Sequence, residues 1–204
     1  VQEWLQRFED AGAIWHYQAG GSHAAYDMAD RHADFYFNTD VAASNPALMQ
    51  DAADELVRAS SIPASGNGNI WIASYTGSIA AGLVLATHIS RISGMPLAYL
   101  DLRTEALNFP IAQGDTVAMV TDDIHSGGSL RKLIGVIKHS GAEILSPILT
   151  MANFSGNATL DGIAIQPLFA MEIETWAPAD CHLCKAGSPA LHARKHWGEL
   201  CERQ

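Results

Sequence analysis

Val117-Ala118-Met119-Val120-Thr121-Asp122-Asp123-Ile124-His125-Ser126-Gly127-Gly128-Ser129-Leu130 is the stretch on which the fold turns, and Arg131 to His139 continue it. The apolar run Val117 to Val120 has the length and β-branched content of a buried strand. From Leu130 onward the apolar residues return at helical spacing, so the polar residues between them form a short loop from strand to helix. Two adjacent carboxylates at a strand's carboxyl end can accept hydrogen bonds from ribose hydroxyls. The small residues Ser126 to Ser129 let backbone N–H groups close around a phosphate at the positive helix end. The pattern suits a phosphorylated sugar. No Gly-Lys-Ser/Thr follows, which excludes a Walker phosphate loop, and the dinucleotide fingerprint is absent too.

Outward from this stretch, the chain alternates. Residues 70–73 read as a strand, 74–78 as a loop and 79–92 as a long apolar helix. Met95 to Leu100 is a third strand, Ala142 to Thr150 another, with Pro147 marking an edge or a bulge. Ile163 to Ile173 supplies a further strand after a turn over 153–162. Strands alternating with helices predict an α/β protein with a twisted, mainly parallel sheet flanked by helices and ligands at the carboxyl ends. Near the start, Trp4, Leu5 and Phe8 share one face of a docking helix over 2–11, with Gly12 as its stop. Residues 13–40 have many aromatics and no long period, and read as short strands and loops rather than core. Asn45 and Pro46 cap and open a helix over 47–59, and 62–69 reads as a turn.

Composition narrows the function. The 204 residues suit one domain with a sizeable core and a small appendage. With 12 basic against 22 acidic residues, the formal charge of −10 disfavours nucleic acid or an anionic membrane as partner. A phosphorylated small molecule remains compatible, because helix ends and Mg²⁺ supply a positive field. No long uninterrupted apolar stretch appears and the N-terminus carries acids, so the expectation is a cytoplasmic protein. The three cysteines all lie within 181–201, which gives no disulfide framework across the domain.

The quoted stretch resembles the phosphoribosyl pyrophosphate (PRPP) motif of type I phosphoribosyltransferases. Residues 23–38, His23-Ala24-Ala25-Tyr26-Asp27-Met28-Ala29-Asp30-Arg31-His32-Ala33-Asp34-Phe35-Tyr36-Phe37-Asn38, resemble the N-terminal hood of the orotate phosphoribosyltransferases within that family. The resemblance implies a phosphoribosyltransferase-like domain over 1–176, its hood at about 13–40, and a tail over 177–204 packed on the domain. It also implies transfer of ribose 5-phosphate from PRPP to a nucleobase with release of pyrophosphate, Mg²⁺ carried by PRPP, and a homodimer. Asp122 and Asp123 would hold the ribose hydroxyls, and Ile124, His125, Ser126, Gly127, Gly128 and Ser129 the 5′-phosphate side. Tyr75, Thr76 and Gly77 would face pyrophosphate, with Tyr36 and Phe37 at the base.

Departures from the family pattern bear on the substrate. Ala29-Asp30 replaces the usual Ser-Gly, and Met28 stands where many members carry a base-site lysine, which favours an uncharged base over the orotate anion. The family's mobile loop brings a lysine and a histidine over the pyrophosphate. Here residues 101–115 contain neither, and Arg103 is their one cation and the catalytic candidate. That loss makes a non-catalytic PRPP or nucleotide sensor the alternative to a transferase.

The tail has its own chemistry. A Cys-x-Leu-Cys-x-x-Gly-x-Pro pattern from Cys181 resembles the tail of many orotate phosphoribosyltransferase-like sequences. Cys181 and Cys184 also have zinc-knuckle spacing, with His192 and His196 at helical spacing downstream as candidate partners. The alternative is a tight turn docking a C-terminal helix. His23 and His32 have no metal-spaced neighbours in sequence and read as solvated or structural histidines.

Overall fold

The computed structural model describes residues 2–26, 30–60, 70–76 and 80–202. Met28, Gly77 and the turn expected over 62–69 lie outside the described residues.

In chain order the elements are α1 (Gln2–Asp10), β1 (Ile14–His16), β2 (His23–Tyr26), β3 (Arg31–Ala33), β4 (Phe35–Phe37), α2 (Thr39–Ala43), α3 (Pro46–Ala59) and β5 (Ile70–Thr76). There follow α4 (Ala81–Ser93), β6 (Leu97–Asp101), β7 (Ala106–Leu107), β8 (Thr116–Ile124), α5 (Gly128–Ser140), β9 (Glu143–Asn153), β10 (Thr159–Leu160) and β11 (Ile163–Ala170). The tail holds α6 (His182–Lys185), β12 (Ala190–His192) and α7 (Trp197–Glu202).

The main sheet has the order β10-β11-β9-β8-β5-β6-β7 among the described residues. Its five inner strands run parallel, and short antiparallel strands close both edges. Alternation along each strand sorts the side chains into two layers. Ile72, Ala118, Val120, Leu149 and Met151 face α3 and α4, whose Leu48, Met49, Leu56, Leu85 and Ile89 are buried against them. Ala73, Val117, Met119 and Ile148 face α5, which returns Leu130, Leu133, Ile134 and Ile137 at the spacing of one helical stripe. Apolar residues on both faces are what a covered parallel sheet requires.

Local signals account for several boundaries. Asn45 caps α3, its Oδ1 accepting from the Leu48 amide at 3.1 Å, and Pro46 takes the first turn. Pro147 lies where β8 and β9 lose register, between the pairs Ala118↔Leu145 and Val120↔Leu149. Of the edge and the bulge expected there, the structure contains the bulge, since β9 is an inner strand.

Two expectations need correction. Strand β5 extends through Tyr75 and Thr76 instead of ending at residue 73, because both pair with β6 at Leu100 and Asp101. Residues 13–40 are not peripheral: Ala13, Phe35 and Phe37 join Phe8, Phe154 and Phe169 in the larger core. The antiparallel β1–β4 pair carries these aromatics inward, and rings 4.9 Å apart at Phe8 and Phe37 bind α1 to it.

A third, smaller cluster joins hood and tail. Trp15, Ala24, Ala193 and Leu200 are buried there, with Tyr17, Tyr36, Leu191 and Trp197 around them. Strand β12 pairs in parallel with β2, and β2 in antiparallel with β3, so a segment of the tail is the edge strand of the hood's sheet.

Candidate active site

The carboxyl end of β8 lies in the middle of the sheet, beside β5 and β9. The strand runs one residue past the acid pair, so Asp122 and Asp123 alternate across it. Asp122 is buried, with Oδ2 accepting from Thr39 Oγ1 at 2.9 Å and Oδ1 from Thr121 Oγ1 at 3.1 Å. Burial, then the Asp123 charge, push its carboxyl up to about 6, while the Thr39 hydrogen bond works in the opposite direction. Gly82 of α4 makes this packing possible, since a Cβ there would lie 3.0 Å from the Asp122 amide nitrogen and 3.3 Å from Thr121 Cα.

Asp123 points to the hood side. Its Oδ2 lies 3.3 Å from His125 Nε2. Burial opposes charge on that imidazole, yet the Asp123 hydrogen bond and the charges of Asp123 and Asp122 outweigh it and leave His125 above its ordinary value. The His125 ring packs between Phe154 at 4.9 Å and Tyr26 at 5.6 Å, and Tyr26 in turn meets Tyr36 at 5.1 Å. Burial, then Asp123, raise the Tyr26 phenol, which stays protonated and donates to the Phe35 carbonyl at 3.0 Å.

The phosphate loop follows at once. Gly127 has φ +73° and opens α5 with no side-chain cap, so the first amides of a 13-residue helix are left without a side-chain acceptor. A Cβ on Gly127 would come within 2.7 Å of Leu160 Cδ1. Ser126 and Gly128 are exposed and Ser129 is half-buried. Arg131 braces the loop from below, donating from Nη1 to the Ser126 carbonyl at 2.6 Å and from Nε to Asp161 at 3.1 Å. Ile124 is core, and its carbonyl accepts from the Phe154 amide.

Tyr75 is brought to this end as well, its hydroxyl 2.7 Å from Thr121 Oγ1. Burial, then Asp122, raise its pKa, so it too stays a neutral phenol. Thr76 ends β5 opposite Asp101. The structure thus gathers the acid pair, His125, the Ser-Gly-Gly-Ser loop, Tyr75 and Tyr36 around one sheet end.

Other candidates fall elsewhere. Phe37 alternates away from Tyr36 into the core, where it contacts Phe8, Phe154 and Phe169, and it shows no ring face to a base. Arg103 stands in an exposed turn after β6, 3.6 Å from Asp101, whose Oδ1 accepts from the Arg103 and Thr104 amides. The chain then turns back as β7 against β6, a hairpin rather than a long covering loop. Lys132 of α5 reaches this hairpin at Glu105, 3.2 Å away. His192 and His196 do not join the cysteines: His192 ends β12 and accepts from the Lys195 amide, while His196 pairs with Glu199. Strand pairing of residues 190–192 ends the helical spacing the sequence suggested. His23 and His32 are the residues beside Cys181 and Cys184 instead. Sequence reading also passed over Thr39, Tyr26 and Gly82, whose roles come from contacts across long sequence separations.

A central parallel strand ending in an acid pair, followed by a glycine loop at a helix start, gives the chain a fold similar to that of type I phosphoribosyltransferases. No family model matches the chain. It is 25% identical to the orotate phosphoribosyltransferase of Desulforamulus reducens over 165 residues, 79% of this chain and 82% of that protein. With the orotate phosphoribosyltransferase of Heliobacterium modesticaldum it shares 28% over 114 residues, 54% of this chain and 59% of that protein. The crystal structure of orotate phosphoribosyltransferase from Aeropyrum pernix superimposes with a TM-score of 0.63 at 17% identity, covering 82% of this chain and 93% of that one. Within that class, the relatives it resembles in sequence are orotate phosphoribosyltransferases, and an orotate phosphoribosyltransferase shares its fold.

Proposed function

We propose that the chain is a pentosyltransferase that moves ribose 5-phosphate from PRPP to a nucleobase and releases pyrophosphate. The observation that carries this is the end of β8: a buried carboxylate beside a half-buried one, directly ahead of a helix start whose amides have no side-chain cap. Asp122 and Asp123 accept the ribose hydroxyls, and Ser126, Gly127, Gly128 and Ser129 take the 5′-phosphate. Tyr75 and Thr76 lie at the neighbouring strand end, on the side of the pyrophosphate, and Tyr36 with Tyr26 offers aromatic surface to a planar base.

None of these groups is a nucleophile. The base nitrogen displaces pyrophosphate at ribose C1 through an oxocarbenium-like state, and the protein contributes placement and electrostatics. An all-oxygen set of carboxylates and hydroxyls suits Mg²⁺, which Asp122 and Asp123 would approach through the ribose hydroxyls of its PRPP complex. Bound with PRPP, Mg²⁺ would supply positive charge to the leaving pyrophosphate. His125 lies at the same mouth, where burial opposes its charge and the Asp123 hydrogen bond and carboxylate favour it, with a net upward shift. We further infer a homodimer working in the cytoplasm; among the described residues, no helix is long and apolar enough to cross a membrane.

A second reading, a PRPP or nucleotide sensor without turnover, draws support from the β6–β7 hairpin, where Arg103 is exposed and engaged with Asp101. Pyrophosphate release from PRPP and Mg²⁺, with orotate, uracil and purine bases offered separately, decides between them. Release that depends on one base establishes the transferase and names its substrate. PRPP binding with no release for any base establishes the sensor.

A further inference from the structure

Four side chains from three separate segments converge on the hood–tail seam, away from the acid pair. His23 begins β2, His32 lies in β3, and Cys181 and Cys184 flank the start of α6. Their ligand atoms all lie within 4.8 Å of one another. His23 Nε2 is 3.6 Å from Cys181 Sγ and 3.5 Å from Cys184 Sγ, while His32 Nδ1 is 3.2 Å from Cys184 Sγ and 3.0 Å from His23 Nε2. Zinc bonds of about 2.3 Å to sulfur and about 2.0–2.1 Å to nitrogen put neighbouring corners of a tetrahedron about 3.5 Å apart for sulfur–nitrogen pairs and about 3.3 Å for a nitrogen pair. These four spacings lie within about 0.3 Å of such edges, and the two remaining pairs are within 4.8 Å, so a small closing movement completes the tetrahedron.

The surroundings orient them as ligands. Ser188 Oγ donates to the Gly21 carbonyl at 2.8 Å and so accepts from His23 Nδ1, also at 2.8 Å. That bond places the His23 proton on Nδ1 and leaves the Nε2 lone pair facing the sulfurs, the outer partner that a metal-binding histidine characteristically has. The Cys184 amide donates to Cys181 Sγ at 3.4 Å, which fixes that sulfur on the turn facing the two imidazoles. His23, His32 and Cys181 are buried.

The seam also needs a staple. Its strands are three or four residues long, and its apolar cluster has four buried members, of which two are alanine. So small a unit gains little from burial alone.

We propose that His23, His32, Cys181 and Cys184 form a structural Cys₂His₂ zinc site that clamps the C-terminal strap onto the hood. Four protein ligands leave no open position, which makes the ion structural rather than catalytic, and mixed sulfur and imidazole donors in a tetrahedron select zinc over hard cations. The clamp holds one end of β2, and the other end carries Tyr26, whose ring meets His125. The inference stands on the seam's own geometry, independently of whether the acid-pair site turns over.

The test is metal analysis of the full-length chain, followed by chelation and titration of the stripped protein with Co²⁺. The expected result is about one zinc per chain, and a tetrahedral Co²⁺ spectrum with sulfur charge-transfer absorption that zinc abolishes. Cys184→Ser and His32→Ala should each lose the bound metal, while His192→Ala and His196→Ala keep it. Should Cys184→Ser fail to fold, the Co²⁺ titration of the unmodified chain still decides. A chain without zinc whose thiols, free or oxidised, give no tetrahedral Co²⁺ spectrum overturns the proposal, as does loss of metal in His192→Ala.

Discussion

The end of β8 and the hood–tail seam are assembled in opposite ways. At β8 the acid pair, loop and helix start come from one run of residues, and distant side chains such as Thr39 and Gly82 only trim the environment. At the seam nothing works within one segment: His23 must meet Cys184 across 161 positions, and Trp15 donates from Nε1 to the Leu200 carbonyl across 185. A local site survives as long as its strand is held. A composite one exists only when the chain ends have docked, and it pays their loop-closure entropy before any contact forms.

The largest effect that would sharpen this contrast is at the acid pair. Asp122→Asn with Asp123→Asn should abolish PRPP binding, since losing charge-assisted hydrogen bonds costs about 1.5–3 kcal/mol each. Circular dichroism and the melting temperature should stay close to those of the parent. Unchanged PRPP affinity in a folded double variant, measured by calorimetry, would remove the site from β8.

Next in size is Gly127→Ala, which combines a left-handed backbone costing about 1–2 kcal/mol with displacement of Leu160. It should lower both stability and phosphate affinity, whereas Gly135→Ala, in open space on the same helix, should lower neither. Equal effects from both would show that the loop geometry is not what matters.

The third test uses pH. The folded chain holds the Asp122 proton more tightly than the unfolded one, so stability from this group is greatest below its ordinary value of 3.8 and declines as pH rises toward about 6. Ribose hydroxyls need the ionised form as acceptor, so PRPP affinity should rise through the same interval. Thr39→Val removes a bond that favours ionisation and should move the midpoint upward. A midpoint that stays in place would detach Thr39 from the titration.

The smallest expected change is Asn45→Ala, about 1 kcal/mol from the α3 cap, with no effect on ligand binding. It calibrates what scaffold damage alone does, and a large loss of PRPP affinity here would blur the line between scaffold and site.

Legibility followed sequence separation. Strand β8, helix α5, the Asn45 cap and the Pro147 irregularity are announced by residues adjacent to one another, because periodicity, capping and ring constraints act within a few positions. The extension of β5 to Thr76 was not, since it depends on pairing with β6. Phe37 was misread for a related reason: adjacent aromatics on a strand face opposite ways, and only docking against Phe8 and Phe169 shows which one is core.

From residue order alone came the alternating α/β plan, the acid pair before a glycine loop and the absence of lysine and histidine over 101–115. These are short-range properties of backbone and charge. Which histidines accompany the Cys-x-x-Cys turn was settled by strand register: β12 pairs with β2 and turns His192 to its own loop, while the β2–β3 hairpin sets His32 opposite Ala25 and brings it to His23. Coordination chemistry is written in residue types, but its geometry requires four atoms within a few ångströms, and packing of distant segments supplies that proximity.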